Sequence, residues 1–116
     1  MKKHIIFCAI FIATPAISAP TYLNCNFKDY DGGDNKVEIA LDEITGSADV
    51  YFPRTNGRSQ RRAMFTPSQV KIELGSIATL FVSRANLSMT RVSVIPGQTI
   101  RENGTCKKVN APKRAF

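Results

Sequence analysis

From residue 20 onward, apolar and polar residues alternate with a period of two over most of the chain, and clusters of turn residues separate the alternating runs. Tyr22 to Lys28 sets Cys25 and Phe27 against polar Asn24, Asn26 and Lys28. A turn with Gly32-Gly33 follows over Asp29 to Asn35. Lys36 to Asp42 places Val37, Ile39 and Leu41 on one face and Lys36, Glu38 and Asp42 on the other. After a turn at Thr45-Gly46, Ser47 to Phe52 points Ala48, Val50 and Phe52 inward. Pro53 to Arg62 reads as an open polar loop.

Ala63 to Thr66 is a short strand stopped by Pro67, and Gln69 to Leu74 alternates again with Val70, Ile72 and Leu74 inward. Beyond Gly75-Ser76, Ile77 to Arg84 is the most apolar run and is expected to be a central strand. Leu87 to Ile95 alternates less cleanly, Pro96-Gly97 ends it, and Thr105 to Val109 forms the last strand. No segment sustains a 3.6-residue apolar period, and the Asn and Ser content of Ser83 to Thr90 favours a turn over a helix. The pattern predicts an all-β domain, a small antiparallel meander of seven to eight strands forming a barrel or sandwich.

The N-terminal stretch has a different character. Lys2 and Lys3 precede an apolar run from Ile5 to Ala13, Pro15 interrupts it, and Ala16 to Ala19 supplies small residues. This is the layout of a Sec-type signal peptide over 1–19, cleaved after Ser18 or Ala19. The run is shorter than the roughly 20 apolar residues that span a bilayer, so no transmembrane segment is expected in the mature form. The domain itself is expected over 20–109, followed by a flexible tail over 110–116.

Cleavage alters the composition. The whole chain of 116 residues carries 16 Lys+Arg against 9 Asp+Glu and one histidine. Without the leader, 14 basic residues remain against the same 9 acids, a net charge of +5, and no histidine is left. Cys8 goes as well, so Cys25 and Cys106 remain as an even pair, expected to form one disulfide in an oxidising compartment, periplasmic or extracellular. Closing a loop of this size is worth about 4–5 kcal/mol in the chain-entropy account.

The missing histidine rules out Ser–His–Asp and Cys–His nucleophiles and His-ligated zinc. No cofactor and no metal is expected, and the chain reads as non-enzymatic. Asp29, Asp31 and Asp34 share one turn, but Gly33 and Asp34 stand where a calcium loop needs a ligand and a glycine, respectively. A hydrolase working with carboxylates alone is the alternative, and it needs two of Asp42, Glu43, Glu73 and Glu102 to face one cleft about 5–10 Å apart. A subunit that polymerises by strand exchange is a further alternative.

The main positive feature is Pro53 to Arg62, where Arg54, Arg58, Arg61 and Arg62 occur without an acid. Guanidinium groups take phosphate and carboxylate bidentately, so these four residues are the expected partner-binding set. The expected partner is an acidic protein surface or the phosphate groups of a cell envelope. Nucleic acid is not expected, because an exported protein rarely meets it, and the protein is expected to be a monomer. Lys107, Lys108, Lys113 and Arg114 make a second basic cluster, and Arg84 and Arg91 are expected in cross-strand pairs.

The layout resembles small exported bacterial or prophage-encoded proteins in Cys25-Asn26-Phe27, Asp42 to Gly46, Val82 to Leu87 and Gly104 to Lys107. In size, export, disulfide use and barrel shape it is also similar to the periplasmic C-type lysozyme inhibitors. That resemblance implies inhibition of lysozyme, and the prophage version implies interference with another phage or with host envelope enzymes. The inhibitors' Ser-Gly step before Tyr is reversed here as Gly46-Ser47 before Tyr51, and their Lys-Gly segment has no counterpart.

Overall fold

The computed structural model describes residues 20–29 and 31–111. The expected signal peptide and residues 112–116 of the expected tail lie outside this range. Eight strands follow one another: β1 (Thr21–Lys28), β2 (Asp34–Asp42), β3 (Ser47–Phe52), β4 (Gly57–Phe65), β5 (Gln69–Glu73), β6 (Ala78–Ser83), β7 (Ser88–Ile95) and β8 (Gln98–Val109). Each pairs antiparallel with its neighbour in sequence, and β8 returns to pair with β1, so the sheet closes into an all-β barrel with no helix among the described residues.

Closure follows from the alternation. An eight-stranded barrel has an interior just wide enough for side chains to fill. Leu23, Cys25 and Phe27 of β1 meet Val37, Ile39 and Leu41 of β2 inside, and Ala48, Val50, Ala63, Val70, Ile72, Leu80, Val82 and Met89 complete the buried core. The disulfide between Cys25 and Cys106 sits on the closing seam, where the two residues are direct partners in the β1–β8 register, 81 positions apart in sequence.

Two expected segments differ. Pro53 to Arg62 is not an open loop: only Pro53 to Asn56 turns, and β4 begins at Gly57. Asn56 takes a left-handed backbone (φ 57°), which asparagine tolerates, and its side chain accepts a hydrogen bond from the Tyr51 hydroxyl at 3.0 Å. The last strand starts at Gln98 rather than Thr105. Both hidden stretches put polar or small residues on the inner side: Ser59 and Arg61 in β4 stand opposite buried Val50 and Ala48, while β8 turns Glu102 and Gly104 inward. The apolar half of the alternation is missing there. The expected central strand, now β6, has two neighbours like every other strand, since a closed ring has no centre.

Gly104 lies at a close approach of the seam strands. It is the partner of Phe27 on one side and Met89 on the other. A Cβ at this position would run into the Asn26 carbonyl and come within 2.8 Å of the Phe27 Cα. Gly104→Ala is therefore expected to destabilise the protein by about 1–3 kcal/mol, read from urea unfolding, through overpacking rather than backbone strain.

Candidate functional site

The alternation divides the four expected arginines among different surroundings. Arg54 lies in the β3–β4 turn and reaches across to the β1–β2 turn, donating to Asp29 at 2.8 Å. Arg61 is on the inner side and donates from Nε to the Ser59 hydroxyl at 3.1 Å. Only Arg58 and Arg62 project from the outer face of β4, and both are exposed. Arg58 lies over the Tyr51 ring at 4.9 Å, a cation–π contact with its direct cross-strand partner. The four arginines therefore do not lie on one loop.

Arg54 belongs to an ionic assembly that closes one end of the barrel. At its centre is Arg91, whose Nε lies 2.7 Å from Glu102 of the neighbouring strand and whose terminal nitrogen lies 3.5 Å from Asp29. The Arg91 guanidinium also covers the buried Phe27 ring at 4.7 Å. Glu102 is the sole buried charged residue among those described, with 4% of its side chain exposed. Asp29 accepts from the Asn35 amide at 2.9 Å as well as from Arg54, and these two hydrogen bonds hold its carboxyl below the usual carboxylate range. The expected cross-strand pairing of Arg91 is present.

Arg84 differs from the expectation. It lies in the turn after β6 and pairs with Glu43, in the β2–β3 turn, at 3.1 Å. It also donates to the Thr66 carbonyl at 2.9 Å and lies over Phe65 at 5.8 Å. It thereby ties three turns together over the opposite end of the barrel. A recess of about 230 Å³ remains there, with Lys108 at its rim.

The turn acids are engaged one by one. Asp29 is held as described, Asp31 accepts from the Gly33 amide and Asp34 pairs with Lys28, so they do not converge on one point. No cluster of metal-ligating side chains occurs among the described residues. The four acids of the hydrolase alternative share no cleft. Glu102 is inside the barrel, Glu43 is with Arg84, Glu73 is 3.9 Å from Lys71, and Asp42 caps the Ile44 and Thr45 amides. The strand-exchange alternative meets a closed ring with no unpaired strand edge among the described residues.

The outer face carries a feature that the sequence reading missed. In register, Lys107, Asn24, Glu38, Tyr51 and Arg58 form one transverse row across β8, β1, β2, β3 and β4. With strands about 4.8 Å apart, that row runs roughly 19 Å around the barrel. In the next row Ala40 stands between Tyr22 and Asp49. The small side chain leaves a depression of about 420 Å³ between the two tyrosines. A second hollow of about 410 Å³, lined by Asn24, Asn26, Lys36, Thr105 and Lys107, adjoins it through Asn24 and Glu38. Lys107, from the second basic cluster, thus joins the row, while Lys108 points to the barrel mouth and Lys113 and Arg114 lie outside the described residues. The available signal was tyrosine at the solvent-facing phase of two strands.

Fold and surface together define a small disulfide-closed barrel with an interior filled by side chains and a furrowed, charged exterior. No family model, curated protein or solved structure matches the chain.

The ionic end generates two predictions. Arg91→Met leaves Glu102 buried without its cation, and unfolding should cost about 3–5 kcal/mol less, with part of the loss recovered in the Arg91→Met/Glu102→Leu double variant. A carboxyl whose value is depressed in the folded state contributes stability above its ordinary value of 3.8 and loses it as pH falls through the folded value. Thermal stability should therefore hold from pH 7 to about pH 5 and drop below about pH 4, with a shallower drop in Asp29→Asn.

Proposed function

We propose that this chain is an exported, non-enzymatic binding domain that docks an acidic surface of the cell envelope on the outer face of its barrel, around β4 and the adjoining strands. The observation that carries this reading is the outward projection of Arg58 and Arg62 from β4, with Lys36 and Lys107 lining a hollow farther round the outer surface. Lys36 and Lys107 form no ion pair among the described residues, and their charge is available to an anion. Guanidinium groups match phosphate and carboxylate in geometry, and a charged face raises the rate of encounter with an anionic surface.

The other features of the chain support this reading. The disulfide fits an oxidising compartment, and the N-terminal stretch has the layout of an export signal. The interior is filled by side chains, and the residues that would carry carboxylate chemistry are distributed over both barrel ends. Partner recognition therefore falls to the exterior. The binding set shifts accordingly, from the four clustered arginines to Arg58 and Arg62 with the two lysines, while Arg54 and Arg61 serve the turn and the barrel interior.

Co-sedimentation of the protein with envelope fragments tests this. Binding should fall at least tenfold in Arg58→Glu/Arg62→Glu and weaken steeply between 50 and 300 mM salt, because exposed charge interactions are screened. Arg61→Ala should bind like the parent. Undiminished binding of the double variant would remove the outer face from the reading.

A further inference from the structure

We propose that the depression over Ala40 is a carbohydrate subsite that seats a sugar ring of an acidic oligosaccharide. This rests on the reading of the outer face as an envelope-binding surface and names the chemistry of its ligand.

Three properties of the depression point to this ligand class. The first is its shape. Ala40 is the one small outward residue between Tyr22 on β1 and Asp49 on β3, and Tyr51 stands diagonally beyond it, so an aromatic side chain flanks the hollow on each side. Both tyrosines are half-buried and line a cavity of about 420 Å³, with the Tyr51 hydroxyl held by Asn56 and the Arg58 guanidinium over its ring. Aromatic faces carry negative quadrupoles that attract the weakly positive C–H groups lining one side of a pyranose ring.

The second property is the polar lining. Asp49, Glu38 and Asn24 are among the residues lining the same hollow. Carboxylates accept several hydrogen bonds each, and an amide both donates and accepts, so vicinal hydroxyls are matched. Asp49 is exposed and forms no ion pair among the described residues, in contrast to Asp29 and Asp34.

The third property is the placement of positive charge. Arg58 borders the depression at one end of the transverse row, and Lys107 and Lys36 line the adjoining hollow beyond Asn24. Carboxylates lie at the ring site and cations at its two sides, the order expected for a chain whose hydroxyl-bearing rings alternate with acidic substituents. A bare anion would meet Asp49 and Glu38 at the centre. A peptide added as a strand would need an unpaired edge, and the closed sheet offers none among the described residues.

The test is a titration of the ¹⁵N-labelled protein, followed by amide chemical shifts, with three probes: a uronic acid–N-acetylhexosamine disaccharide, the neutral disaccharide cellobiose, and inorganic phosphate. The acidic disaccharide should shift the amides of Tyr22, Asn24, Ala40 and Asp49 saturably and bind at least tenfold tighter than cellobiose. Tyr22→Ala should weaken it at least fivefold. Asp49→Asn, an exposed change that leaves the core intact, should weaken it at least threefold and guards against a folding defect in the tyrosine variant. The inference is overturned by unmoved amides at 20 mM disaccharide, by full binding in both variants, by equal binding of cellobiose, or by inorganic phosphate reproducing the same shifts at the same affinity. Unmoved amides in a protein that still loses envelope binding through Arg58→Glu/Arg62→Glu would overturn the sugar subsite alone.

Discussion

The pairing of the first strand with the last is the constraint on which the rest of the molecule depends. An open meander would leave β1 and β8 as exposed edges and its apolar face uncovered. Bringing the two ends together carries the largest loop-closure cost in the chain, and here a covalent bond holds them at the point where Cys25 faces Cys106 in register. Gly104, on the same seam, lets the backbone of β8 approach Phe27. Once the seam is closed, every strand has two partners and the apolar side chains of one face share a single interior.

Closure also explains the two ends. A barrel interior is a tube, and its openings expose apolar side chains unless something covers them. At one end, Arg91 does so with charge and aromatic contact together, spanning Glu102, Asp29 and Phe27. A partly buried cation of this kind costs desolvation, which its two carboxylates and the ring offset. At the other end, Arg84 spans three turns and leaves a shallow recess. Part of the positive charge visible in the composition is thus engaged in holding turns and closing the barrel ends.

Most strands were legible because their inner positions are apolar: β2, β3 and β5 lie within two residues of the runs read from alternation. The first part of β4 and of β8 was not legible, and for one reason. Both run through the ionic end, where Ser59, Arg61, Glu102 and Gly104 occupy inner positions. The same blindness made the arginines of 54–62 look like a single basic loop. The outer-face row was invisible for the opposite reason: its members come from five strands and meet only through register.

The sequence by itself determined the all-β character, the meander of seven to eight strands, the pairing of Cys25 with Cys106 and the absence of histidine-based chemistry after residue 19. These follow from local alternation, turn residues and composition, which need no knowledge of distant neighbours. Only the tertiary structure decided that the sheet closes as a barrel, that Arg54 and Arg61 serve the turn and the interior while Arg58 and Arg62 face out, and that Tyr22, Ala40 and Asp49 share one depression. Those depend on which residues stand opposite one another across strands, and cross-strand register is set by closure of the whole sheet, not by any segment alone.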